Sequence, residues 1–588
     1  MSLPPLFRRP SERIIGARRS ALDVAHGRLV FIGICFALAY ILVAARVMDL
    51  TLIQGELPRL AHQQVQDHEI PSPADQKILR GDITDRNGVL LARSLKTASL
   101  KADPALIADP EKVAHDLVRV LPDLKYGDLL QKLQRKGRFV WIKRNLTPRD
   151  QYAILMLGHP GLNFEDESHR IYPQGALAGH IVGFTDIDGK GLAGIERNFN
   201  SMLAAGHPLQ LTLDIRLQHI VRRELQKAIR EFSGIGGAGA IMDVNTGEIL
   251  AAVSEPDFDP HNVTAKDKDS LFNRLTLGVY EMGSTFKIFS IAAYLETRGA
   301  PIGQSFDARA PIKVGRFMIR DFHPENRFLT IPEVFMHSSN IGAARMAAIT
   351  GTAALKDFYK DLGLLDPLQI EIQEVSRPLI PNPWRDINTL TASYGHGIAV
   401  TPLQTLAATA TISNGGILIH PTLVMDGSLP QDAHGKEDKK SDVRVISPQT
   451  AHRMRQLMRL VVSNGTATAA NVPGFQVGGK TGTAEKAAGH GYDDNRRLSS
   501  FIGIFPMDAP RYAVMVMVDE PKGTKASYGY ATGGWVAAPA VGKIITAMAP
   551  VLGLLPKEVA PENDMAAPLL PYVMNKEGTA HLASVGTD

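Results

Sequence analysis

Cysteine is almost absent: Cys35 is the only one in 588 residues. No intrachain disulfide can form, and clustered-thiolate metal sites are excluded. Folded parts must therefore be stable through their cores alone. An excess of charge is missing too, since 64 Lys and Arg face 60 Asp and Glu for a net +4. With no basic stripe, nothing favours nucleic acid as a partner. Internal repeats are absent, which removes solenoids and propellers, and no metal-ligand motif is found. Long apolar runs are lacking with one exception, so a polytopic membrane protein is excluded. Hydrophobic residues at 44% and charged residues at 21% exclude wholesale disorder. A single core stops growing at roughly 250–300 residues, so the chain holds at least two folded units.

The exception is LVFIGICFALAYILVAA, Leu29 to Ala45, which carries no charge. Arg46 can snorkel to headgroups while Val47 and Met48 complete the span. Arg8, Arg9, Arg13, Arg18, Arg19 and Arg28 precede it against only Glu12 and Asp23. A segment apolar on every face behind clustered arginines reads as one transmembrane helix, with the N-terminus in the cytoplasm and the rest outside it. Ala37-Leu38-Ala39 offers a small-residue pattern for signal cleavage, but inside the apolar run, which favours an uncleaved anchor.

The expected organisation is a basic cytoplasmic tail at 1–28, the anchor at 29–48, a structural or docking domain at 49–205, a second domain at 206–549 and a disordered tail at 550–588. In the first domain RGDITDRNG (80–88) reads as a strand and an Asn-Gly turn, and GHIVGF and GLAGIERNFN as short strands and a helix start. From Leu211, Asp214 is a possible N-cap, with Leu217, Ile220, Val221, Leu225, Ala228 and Ile229 on one helical face. GAGAIMDV and EILAAVS around Asn245-Thr246-Gly247 read as a hairpin. A predominantly helical stretch (272–413) follows, and strands return at 475–484, 500–505 and 511–520. Sheet segments flanking a helical insertion predict an α+β domain with an antiparallel sheet. The polar segment 427–442 reads as a solvated loop.

Three short patterns carry chemistry. In YEMGSTFKIFSIAAYL, Ser284 and Lys287 stand three apart, on one face of a helix that starts near the serine, with Gly283 allowing a sharp entry. Apolar residues cover nearly the whole circumference beyond, so Lys287 is expected to be buried, its ammonium disfavoured and its amine suited to act as a base for Ser284. The same spacing alone fits a serine N-cap beside a surface lysine. Ser338-Ser339-Asn340 opens a second helical run, where a simple cap is the alternative. VGGKTGTA lies on a predicted strand: Lys480 brings positive charge, Thr481 and Thr483 bring hydroxyls, and Gly482 leaves room for a ligand backbone, a good receptor for a carboxylate and a peptide. A β-edge with a tight turn is the plainer reading.

S-x-x-K, S-x-N and K-T-G in this order form the set found in β-lactamases and penicillin-binding proteins. With RGDITDRNG, RIYPQGALAGHIVGF, GLAGIE, DVNTGEILAAVSEPDFDP, SYGHGIAVTPLQTLAA and SFIGIFPMDAPRYAVMVMVDEP, the sequence resembles class B penicillin-binding proteins from Arg80 to about Ile545. Met282 stands where the usual Tyr-x-Pro-Gly-Ser entry has proline. The resemblance implies a penicillin-binding serine-transferase domain (206–549) on an elongated N-terminal pedestal, and a peptidoglycan D,D-transpeptidase. By position, Ser284 is acylated by the penultimate D-alanine of a donor stem peptide, Lys287 and Ser338 relay its proton, and Asn340 holds the substrate amide. Lys480, Thr481 and Thr483 bind the terminal carboxylate, and the N–H groups of Ser284 and Thr483 form the oxyanion hole. No cofactor or metal is expected. The implied partners are stem peptides, β-lactam antibiotics as inhibitors, a membrane glycan polymerase, divisome proteins and the bacterial inner membrane, with the catalytic domain periplasmic. Glu485-Lys486 and the Ser393–Gly397 block resemble the septal branch more than the elongation branch. Tyr394 and His396 line the cleft or belong to a structural loop. A D,D-carboxypeptidase differs only in its acceptor, an inactive β-lactam sensor would have lost a motif residue, and a β-lactamase would need a deacylating group, for which Glu371 and Glu374 are the candidates between the motifs.

Overall fold

The computed structural model describes residues 27, 28, 30–45, 48, 78–264, 266–315, 317–428, 443–488 and 491–574. The chain divides into two compact units, Met1–Ile78 and Leu79–Asp588. In the first, residues 30–45 are helical and exposed, with Cys35 among them. Among the described residues no helix is long and apolar enough to cross a membrane. Leu29, Arg46 and Val47 of the expected span lie outside the described residues, as do the arginines before Arg28.

The second unit begins with a mixed sheet. Strands β1 (Ile83–Thr84), β2 (Leu90–Ala102), β3 (Val140–Leu146), β4 (Leu162–Ile171) and β5 (Leu209–Gln210) run in the order β3-β2-β1-β5, with β4 also on β2 and only β1-β5 parallel. Helices α1 (Pro110–Val120), α2 (Tyr126–Leu133) and α3 (Pro148–Leu155) cover a small core around Leu100, Leu117, Leu129 and Ile142. Asp109 and Thr147 cap α1 and α3, each followed by a proline that needs no N–H partner. Beneath this sheet Glu196, fully buried, accepts from Arg80 Nε at 2.6 Å and from Arg170 Nε at 2.7 Å. The expected strand at GHIVGF is instead one short helix, Gly179–Val182. Gly179 lies against Phe258 and Gly183 against the Ala193 carbonyl at φ 78°, so close packing closes the segment into a turn.

Helix α4 (Ile215–Glu231) starts where Asp214 accepts from Arg216 N, and buries Leu217, Ile220, Val221, Leu225 and Ala228. It lies on an antiparallel sheet of β6 (Gly236–Asp243), β7 (Ile249–Glu255), β8 (Gly478–Ala488), β9 (Gly491–Phe505) and β10 (Tyr512–Asp519), in the order β8-β9-β10-β6-β7. Both ends of the domain thus meet in one sheet, with α11 (Ala537–Val551) packed beside α4. Between α4 and α11 lie α5 (Lys287–Arg298), α6 (Ile331–Met336), α7 (Asn340–Thr350), α8 (Thr352–Asp361), α9 (Pro402–Ser413) and α10 (Pro448–Asn464), with a short helix Asp386–Ala392 between α8 and α9. The stretch 272–413 is less helical than expected: four three-residue strands lie between Ser305 and Thr330, and 362–385 carries no helix.

The proline-rich C-terminal segment is also more ordered than its composition suggests. Ala566 and Leu569 are buried, and Asp564 pairs with the buried Arg459 of α10 at 2.7 Å. Tyr572 O accepts from Thr330 Oγ1 at 2.8 Å, and Met574 N donates to Glu333. These anchors outweigh the absent periodicity as far as Met574. Residues 575–588, and 429–442 of the expected solvated loop, lie outside the described residues.

Candidate active site

The segment that bears the nucleophile bends sharply. Gly283 has φ 55°, and a Cβ there would stand 2.6 Å from the Thr483 carbonyl, so both backbone and space require glycine. Residues Gly283–Phe286 form a 3₁₀ turn that continues into α5. At three residues per turn, positions i and i+3 eclipse, which sets Lys287 directly over Ser284. Its Nζ lies 2.7 Å from Ser284 Oγ. Met282 is fully buried and its carbonyl accepts from Thr285 Oγ1 at 2.8 Å, so the turn closes without the usual proline.

Ser338 joins α6 to α7 in the left-handed region, φ 60°, a strained conformation for a non-glycine residue. That backbone turns two oxygens of one residue toward Lys287: Nζ is 2.9 Å from Ser338 O and 3.2 Å from its Oγ. Asn340 Oδ1 accepts from Nζ at 2.7 Å, while its Nδ2 donates to Arg320 O. The front of α7 is fixed from outside the helix, because Asp321 accepts from Ser339 Oγ and Ile341 N. Sequence reasoning missed Asp321. It stands in a loop far upstream of the helix it caps, and no local pattern marks it.

Strand β8 brings the third motif. Lys480 is fully buried, 3.0 Å from Ser338 Oγ and above the Phe335 ring. Thr481 Oγ1 lies 2.9 Å from Thr466 Oγ1, and Thr483 Oγ1 accepts from Gly533 N at 3.1 Å. Gly482 has a different reason from the expected one: a Cβ would meet Met282 O at 2.6 Å and Ser500 Oγ at 2.5 Å. The absent side chain lets the nucleophile turn lie against the strand. Thr466 and Gly533 also escaped sequence reasoning, being loop residues placed only by the fold.

The electrostatics follow from burial. Desolvation first, then the Lys480 charge, push Lys287 well below the usual lysine range, opposed by Asp321. Desolvation lowers Lys480 to about 7. Two ammonium groups beside one hydroxyl repel each other, and the Lys480 charge adds to burial in favouring a neutral Lys287. As a neutral amine, Lys287 has two N–H groups for the acceptor-only Asn340 Oδ1 and Ser338 O, leaving its lone pair for the Ser284 hydroxyl. Ser284, Ser338 and Thr483 stay partly exposed while both lysines are sealed beneath them. Hydroxyls at the surface over a buried amine can perform nucleophilic acyl transfer.

The Ser393–Gly397 block supports the turn from below. A Cβ on Gly395 would stand 2.3 Å from the Gly283 carbonyl, and Ser393 O accepts from Ser290 Oγ. Tyr394 is buried, and burial lowers His396 below the usual histidine range. Glu371 and Glu374 are occupied away from Ser284: Glu371 accepts from Thr422 and Leu423, and Glu374 from Gly194. Among the described residues no group of acidic, His or Cys side chains is arranged to hold a metal ion.

Residues 237–546 match the penicillin-binding protein transpeptidase domain, and residues 76–207 the penicillin-binding protein dimerisation domain. The chain is 40% identical to the probable peptidoglycan D,D-transpeptidase FtsI of Caulobacter vibrioides, over 82% of this chain and 85% of that protein. It is 30% identical to the peptidoglycan D,D-transpeptidase FtsI of Escherichia coli K12, over 84% and 86%. Penicillin binding protein 3 of Mycobacterium tuberculosis, solved with ampicillin, superposes with a TM-score of 0.66 at 25% identity, over 84% of this chain and 99% of that one. A dimerisation domain followed by a transpeptidase domain, on a shared scaffold at this identity, makes the chain a member of the class B penicillin-binding protein family.

Proposed function

We propose that this protein is a septal peptidoglycan D,D-transpeptidase that works through a Ser284 acyl-enzyme. The observation that carries the reading is the buried amine of Lys287 held 2.7 Å from Ser284 Oγ. Neutral Lys287 takes the hydroxyl proton as Oγ attacks the penultimate D-alanine carbonyl. Backbone N–H groups of Ser284 and Thr483 receive the oxyanion. The C–N bond breaks, and the proton passes by way of Ser338 to the departing D-alanine nitrogen. The acceptor stem's amine then attacks the ester, its proton returns through the same groups, and Ser284 is released. Lys480, Thr481 and Thr483 hold the terminal carboxylate, Asn340 the substrate amide, and Gly482 keeps the strand against the turn.

The domain division is 49–205 for the pedestal, 206–549 for the catalytic part and 550–588 for the C-terminal segment. Residues 29–48 form a single-pass inner-membrane anchor behind a cytoplasmic tail, 1–28, with the catalytic part periplasmic. The uncharged run and the preceding arginines support this topology. A membrane glycan polymerase and divisome proteins are the partners. The names of the FtsI relatives favour division over elongation.

β-Lactams inhibit by the same route, because their strained amide acylates Ser284 while their carboxylate docks on Lys480, Thr481 and Thr483. The tethered leaving nitrogen stays in place and shields the ester. Intact-mass measurement after penicillin treatment yields one persistent adduct, mapped to the Ser284 peptide and lost in Ser284→Ala. Rapid drug turnover without an adduct favours a β-lactamase, and an adduct elsewhere rejects Ser284.

A further inference from the structure

Just beyond the site, the chain between β10 and α11 carries three aromatic rings into solvent. Tyr528 is 81% exposed, Tyr530 43% and Trp535 42%. The Tyr530 and Trp535 rings are nearly parallel, 9° apart in orientation with centroids at 6.3 Å, and Tyr528 stands edge-on to Trp535 at 6.0 Å. Such surface is normally buried, and grouped exposure marks a contact site.

The rings are held in a firm frame. Ser527 is buried, donates to Tyr530 O at 2.6 Å and accepts from Thr524 N at 2.9 Å; its own N donates to Thr524 Oγ1. Ser499 Oγ ties Ala531 O to β9. Tyr528 itself has φ 53°, a backbone conformation that bulky L side chains rarely adopt. Strain held in this way, at a residue whose side chain packs little, points to a use for the outward ring.

The frame is continuous with the substrate strand. Gly533 N donates to Thr483 Oγ1, and a Cβ on Gly533 would meet Gly482 O at 2.6 Å. Gly533, which lies against the strand that takes the donor's carboxylate, stands three residues after Tyr530 and two before Trp535, which borders a groove with Phe232 and Lys543. Flat rings suit a ligand with flat C–H faces and polar edges. A pyranose has both: its axial hydrogens carry partial positive charge toward the negative ring face, and its hydroxyls stay in water. D-Alanine offers only a methyl group, too small to cover three rings.

We propose that Tyr528, Tyr530 and Trp535 form a subsite for the glycan strand that carries the stem peptide, a reading that rests on the transpeptidase assignment above. The full chain in detergent is assayed with two donors ending in the same D-alanyl-D-alanine. One is the free stem pentapeptide, the other that pentapeptide on an N-acetylglucosamine and N-acetylmuramic acid tetrasaccharide. Tyr530→Ala and Trp535→Ala each raise KM for the glycan-bearing donor about tenfold and that of the free peptide by less than about twofold, the scale of one lost aromatic contact. Trp535→Phe restores most of the difference. An equal rise for both donors, or no change for the glycan-bearing one, overturns the subsite. Penicillin labelling of Ser284 in the same samples tests the transpeptidase assignment separately, since its absence from the unaltered chain rejects that assignment whatever the glycan does.

Discussion

Ser338 Oγ lies between two fully buried lysines, 3.2 Å from Lys287 Nζ and 3.0 Å from Lys480 Nζ. Acylation needs Lys287 without its proton, so the rate of penicillin acylation rises with pH and levels off well below the usual lysine range. The neighbours set where that rise falls. Asp321 raises Lys287, so Asp321→Asn moves the acid limb to lower pH; Lys480 lowers it, so Lys480→Met moves the limb upward. Unmoved limbs in both variants remove Lys287 as the titrating base. Lys287→Arg keeps a cation but loses the base, and abolishes acylation in a folded chain. Stability carries the same sign. Folded Lys480 releases its proton near 7 whereas an ordinary lysine holds it to 10.5, so stability rises with pH across that window and Lys480→Met flattens the rise. The motif residues were legible because S-x-x-K, S-x-N and K-T-G keep fixed spacing on short elements. Asp321, Thr466 and Gly533 were not, since each reaches the site from a loop whose place depends on the whole fold.

At the scale of elements, helical periodicity foretold α4, which buries one face, whereas β6, β7 and the returning strands were legible as short apolar runs bounded by turns; β6, β7 and β10 are buried on both faces, so they show no alternation. Periodicity did not foretell the 3₁₀ turn at Ser284, where i and i+3 share a face in either helix type and only the tighter one eclipses them. Nor did composition reveal the order in the C-terminal segment. Prolines and alanines there show no period because the segment lies along the surface and is tied by single residues. Arg459 is the main tie: it donates to Asp564 and also to Val477 O, at the entry to β8. Asp564→Ala leaves a buried guanidinium without its counter-charge and lowers stability by about 2–3 kcal/mol. Urea unfolding measures this, and a loss within about 0.5 kcal/mol makes the segment a passive cover.

On the scale of the whole molecule, chemistry has to be delivered to the right side of the right membrane. Septal use predicts that depletion gives filaments with incomplete septa and normal elongation, whereas rounded cells point to the elongation branch. Delivery depends on the first fifty residues, whose sequence pattern is the informative record. An uncharged run of 17 residues, with Val47 and Met48 beyond Arg46, is long enough as a helix at 1.5 Å per residue to approach the thickness of a hydrocarbon core. Six arginines before it resist translocation, while the catalytic residues all follow it. The single cysteine fits the proposed export, since a catalytic part without disulfides needs no oxidative folding. A phosphatase reporter fused after Leu60 is therefore active only when exported, and a chain beginning near Leu50 is soluble and still acylated by penicillin. A full-length fusion whose reporter stays inactive rejects the anchor, and a truncated chain that stays with the membrane locates a second contact in the pedestal.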